Sequence, residues 1–104
     1  MEETSVLEVK LVRRPEAEYS GRIWIKVVLH SIRKKGLSTI NYIDADHDSL
    51  DKMVACAAGA AAEHQCEQYQ DPHDPDMVAN AAVRGMQRLR AQADFAQIQI
   101  ERSM

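Results

Sequence analysis

Before Asp44 the chain reads as three extended stretches, the first with apolar and polar residues alternating with a period of two; from Asp48 to Leu89 the spacing lengthens to that of helices. In Val6 to Arg13 the odd positions Leu7, Val9 and Leu11 are apolar and Glu8 and Lys10 are charged, which predicts a half-buried strand. Arg14 to Gly21 holds Pro15, Glu16, Glu18, Ser20 and Gly21 and breaks the pattern, so the chain is expected to turn there. Between Arg22 and Ile32, Ile23, Ile25, Val27 and Leu29 form one apolar face. Trp24 and Val28 make the opposite face apolar as well, so this second strand is expected to be central or covered on both sides. Arg33, Lys34, Lys35 and Gly36 then supply a polar turn with a glycine able to take positive φ. Leu37 to Ile43 returns as a β-branched-rich strand and closes a hairpin.

Asp48, Ser49 and Asp51 place acceptors where the first free N–H groups of a helix need them, and a helix is predicted to begin near Asp48. Leu50, Met53, Val54, Ala57, Ala61 and either His64 or Gln65 mark its buried face, and it should end around Gln68 to Gln70. Gln65 to Asp76 is strongly polar, carries two of the three prolines and reads as an inter-helix connection. Asp74-Pro75 starts a second helix, with a capping acid and a proline in the first turn, and Met77, Val78, Ala81, Ala82, Gly85, Met86 and Leu89 give its buried face. Phe95 to Glu101 alternates again and predicts a closing strand, unless it prolongs the second helix. The order βββααβ implies a single α+β domain over residues 1–104: a two-layer antiparallel sheet with both helices on one face.

Composition narrows the function classes. A chain of 104 residues with 45% apolar and 28% charged residues is globular and long enough for one core. Thirteen Lys and Arg against sixteen Asp and Glu give a net charge of -3, which disfavours a phosphate backbone as partner. The acidic, polar start does not resemble a secretory signal, and the longest apolar run, Val54 to Ala62, is far shorter than the roughly 20 residues that span a bilayer. Cys56 and Cys66 fall ten residues apart in one predicted helix, about 15 Å at its usual rise, too far for a disulfide. Free thiols fit a cytoplasmic location. Small side chains from Ala57 to Ala62 and Ala79 to Gly85 predict close helix packing around a thin core, for which homodimer formation would compensate.

The candidate chemistry is sparse. Asp44, Asp46, Asp48 and Asp51, with His47 among them, are the one dense group of potential metal ligands. An EF-hand loop fails on Ser49 at its sixth position and Ala55 at its twelfth, and acids before a helix also simply stabilise its dipole. His64, Cys66 and His73 lack the paired cysteines of structural zinc sites, and Cys66 points away from His64 around the helix. No phosphate-binding glycine loop, nucleophile elbow or HExxH is present. No cofactor and no catalytic residue is therefore predicted. Arg84, Arg88 and Arg90 are an alternative nucleic-acid-binding group, and Asp44, Asp46 and Asp48 an alternative metal-dependent catalytic one.

The second apolar face of strand two is the more informative feature. Trp24 and Val28, with Val12 or Val6 and Tyr42 or Ile40 alongside, form either a partner-binding patch or a surface covered by the N-terminal segment or the Pro15 loop. With no catalytic group in view, the sequence predicts a small non-enzymatic regulatory protein that docks on a larger protein or transcription regulator, as an inhibitor or antiactivator does.

Overall fold

The computed structural model describes residues 6–13 and 22–92, and these form an α+β fold of order βββαα. Strand β1 runs Leu7–Arg13, β2 Ile23–His30 and β3 Ser38–Asp44; helix α1 runs Leu50–Tyr69 and α2 Pro75–Arg90. The predicted closing strand Phe95 to Glu101 and the turn Arg14 to Gly21 lie outside the described residues.

The strands form one antiparallel sheet in the order β1-β2-β3, so β2 is central among them. Leu11 pairs with Ile25 and Ile25 with Ile43, while Val9 pairs with Val27, and Val27 with Asn41. This register puts every odd-numbered strand residue on the side that the helices cover. On that side Ile25, Val27 and Leu29 of β2 pack with Val54, Ala58 and Ala62 of α1 and Val78, Ala82 and Met86 of α2. Helix α2 lies over β1, and α1 over β2 and β3. The turn between β2 and β3 contains Gly36 at φ 85°, the positive value that its lack of a Cβ permits.

Small residues let the helices sit low on the sheet. At Gly85 of α2 a Cβ would stand 2.9 Å from Cγ2 of Val9, so the absence of a side chain sets the approach of α2 to β1. The buried stripes differ from the predicted ones at their margins. Met53 is exposed and Met77 is 52% exposed, because α1 turns Leu50, Val54, Ala58, Ala61, Ala62 and Gln65 inward and α2 is centred on Val78, Ala82 and Met86. Asp74 caps α2, its side chain accepting from the N–H groups of Asp76 and Met77. Ser49 sits at the α1 N-cap without a side-chain hydrogen bond, and the ring of His47 instead accepts from the Ser49 N–H at 3.0 Å. Helix α1 ends at Gln70, whose left-handed backbone (φ 55°) returns its N–H to the Gln65 carbonyl.

The polar segment after α1 is a clip rather than a loose connection. Gln65, 0% exposed, donates through Nε2 to the Leu29 carbonyl at 2.7 Å and to Thr39 Oγ1 at 2.9 Å, tying α1 to β2 and β3. Its Oε1 accepts from Nε2 of the buried His73 at 2.8 Å. Asp71 accepts from the backbone N–H groups of Ile32 (3.1 Å) and Arg33 (2.9 Å) and so pins residues 70–74 to the hairpin turn. Burial works to raise the Asp71 pKa, but these N–H groups, the Ser31 hydroxyl and nearby His73 together hold it below the usual carboxylate value.

Candidate functional site on the open sheet face

The register that fills the core leaves the even-numbered strand positions on the opposite face. Three rows cross the sheet there: Glu8, Val28 and Ile40; Lys10, Lys26 and Tyr42; Val12, Trp24 and Asp44. A fourth, shorter row holds His30 and Ser38. The sequence-predicted residues Val12, Trp24, Val28 and Tyr42 are thus brought onto one face. Val12 is directly opposite Trp24, Tyr42 diagonal to Trp24, and Ile40 one pleat along from Tyr42 and opposite Val28.

Their accessibility differs. Ile40 is 48% and Tyr42 38% exposed, whereas Val28, at 5%, lies beneath the surface as a floor; Val12 and Trp24 are half-buried. Ile40, the alternative to Tyr42 in the sequence reading, lies on this face together with it. Around the apolar group the charges are mostly paired. Lys10 Nζ is 2.6 Å from Glu8 Oε1, and Arg22 Nη1 is 3.0 Å from Asp44 Oδ2. Lys26 has no ion pair among the described residues.

At one end of the face, His30 links all three strands. Its Nδ1 is 2.8 Å from Ser38 Oγ and its Nε2 2.5 Å from Glu8 Oε2. Hydrogen bonds from Lys10 and His30 hold the Glu8 carboxyl below its ordinary pKa. Serine, histidine and carboxylate in this sequence have the connectivity of a nucleophilic relay, which the sequence alone did not suggest. Ser38 is exposed at one end of β3. The relay ties three strand ends together.

The two alternative groups are not assembled as sites. Asp44 is occupied by Arg22 and by the Asp46 N–H, which reaches Asp44 Oδ1 at 2.9 Å. Among the described residues no three His, Cys, Asp or Glu side chains are grouped to hold a metal ion. Arg84 and Arg88 share one exposed side of α2, but Arg90 is turned to α1, its Nη2 2.5 Å from Asp51 Oδ1. His73 is buried against Gln65, and Cys66 donates its thiol to the His73 carbonyl at 3.3 Å. Both cysteines are free. No helix among the described residues is long and apolar enough to cross a membrane.

No protein-family model matches the chain, and no curated protein and no solved structure matches it.

Proposed function

We propose that this protein is a small non-enzymatic regulator that binds another protein through the open face of its sheet, occluding a surface of that partner as an inhibitor or antiactivator does. The observation that carries this reading is the pair Ile40 and Tyr42, neighbours on one face of β3 and both exposed, with Trp24 and Val12 continuing the apolar path across the sheet. Aromatic and branched side chains side by side offer large contact area at low entropic cost. Lys26 in their midst favours a partner that brings a carboxylate within an otherwise apolar surface. The free thiols suit a reducing compartment, and the cytoplasm is the proposed setting.

Trp24 is the single tryptophan of the chain, so its fluorescence reports on this face alone. A partner recovered from native extract should shift Trp24 emission to the blue and shield it from acrylamide on stoichiometric addition. A stoichiometric complex that leaves both properties unaltered would place the binding surface elsewhere and defeat this reading.

A further inference from the structure

The outer edge of β1 carries a self-complementary pattern that is independent of the docking face. The His30 N–H donates to the Val6 carbonyl at 2.9 Å, and this bond sets the phase of the β1–β2 ladder. Glu8, Lys10 and Val12 exchange hydrogen bonds with β2, and the N–H and C=O groups of Leu7, Val9 and Leu11 point out of the sheet. No hydrogen bond joins these outward groups to any described residue. Beside them runs a groove of about 300 Å³ lined by Val9, Lys10, Leu11, Leu89 and Gln92. Leu7, Val9 and Leu11 are only partly buried against the core.

We propose that this edge binds a second copy of the same strand, antiparallel, about a two-fold axis through Val9, joining the two sheets edge to edge. The charges choose the occupant and the register. Centred on Val9, the pairing sets Glu8 opposite Lys10 of the second copy and Lys10 opposite its Glu8, both at the closer, non-hydrogen-bonded positions. The intrachain Glu8–Lys10 pair then becomes a ring of four alternating charges. Moving the axis to Lys10 opposes two lysines, and moving it to Glu8 opposes two carboxylates, so both neighbouring registers are repulsive. On the helix side the same register sets Val9 against Val9 and Leu7 against Leu11, placing the second copy's apolar side chains along the groove. A two-fold axis of this kind leaves both open faces on one side of the joined sheet.

Sedimentation equilibrium of the full chain tests this directly, with amide exchange measured by NMR on the wild type. The expected results are twice the 11.7 kDa chain mass and slowed exchange at the Leu7, Val9 and Leu11 amides that grows with concentration. Lys10→Glu should weaken the dimer by about tenfold or more, and Glu8→Lys with Lys10→Glu should restore it, since the swap keeps the alternation. A single-chain mass at all concentrations would overturn the proposal and leave Lys10 as a guard against edge pairing. So would a dimer that Lys10→Glu leaves intact, or one whose protection falls on Ile40 and Tyr42 instead of β1. The exchange measurement needs no variant, so it decides the matter even if a substitution unfolds the chain.

Discussion

The two faces of the sheet are made by the same three strands, one residue apart, and they are finished in different ways. On the helix side Ile25, Val27 and Leu29 are sealed by alanines, valines and Met86, and Gln65, driven into that layer, has both its amide nitrogen and its amide oxygen engaged. On the other side a buried floor at Val28 carries exposed Ile40 and Tyr42 within a frame of paired charges. The first arrangement is what stability requires, since buried polar groups are costly unless satisfied. The second offers apolar area that no described residue seals, which a stable fold does not need and a binding surface does. Substitutions on the helix side should therefore change folding and leave binding to the folded protein alone, and those on the open side should do the reverse.

The sharpest break of that contrast comes at Gln65. Gln65→Ala should cost about 2–4 kcal/mol, because it opens a cavity and strands the buried His73 donor; urea denaturation measures it. Asp71→Ala should cost about 1–3 kcal/mol by leaving the Ile32 and Arg33 N–H groups without their acceptor. The same carboxylate has a pH signature. Its pKa is lowered in the folded protein, so its contribution is complete above the unfolded value of about 3.9 and is lost as pH falls through the folded one. Glu8 acts with the same sign. The wild-type urea midpoint should thus decline below about pH 4, and in Asp71→Asn that decline should be shallower. Gly85→Ala comes next, at about 1–2 kcal/mol, since the close contact with Val9 outweighs the better helix propensity of alanine; thermal melting detects it.

Much of this fold was legible in the sequence because its signals are local. Period-two spacing located β1 and β2, the Arg33 to Gly36 turn and the β-branched residues after it located β3 and the hairpin, and Asp74-Pro75 marked the start of α2. The helix stripes were legible in outline, but Met53 and Met77 were misplaced because a large apolar residue at the margin of a stripe looks the same whether or not a neighbour covers it. The polar clip was not legible at all. Gln65, Asp71 and His73 act through partners in β2, β3 and the hairpin turn, and such long-range pairing leaves no mark on the local pattern. For the candidate site, the sequence pattern put Val12, Trp24, Val28 and Ile40 or Tyr42 on one face, while the structure was needed to show that Ile40 and Tyr42 are both exposed and that Val28 is their floor. The arginine group failed as a unit because Arg90, two residues beyond Arg88, faces a different side of the helix and meets Asp51.

The smallest expected effect on stability belongs to the open face: Ile40→Asp, at an exposed position of β3, should change the unfolding free energy measured in urea by no more than about 0.5 kcal/mol. That makes it the most direct probe of the central claim. Immobilised wild type, Ile40→Asp and Arg84→Glu with Arg88→Glu would be compared for stoichiometric capture from native extract, each first shown to be folded by circular dichroism. Docking through the sheet predicts a partner held by the wild type and by the arginine variant and lost from Ile40→Asp. Retention by Ile40→Asp with loss from the arginine variant would contradict it and move the binding surface to α2.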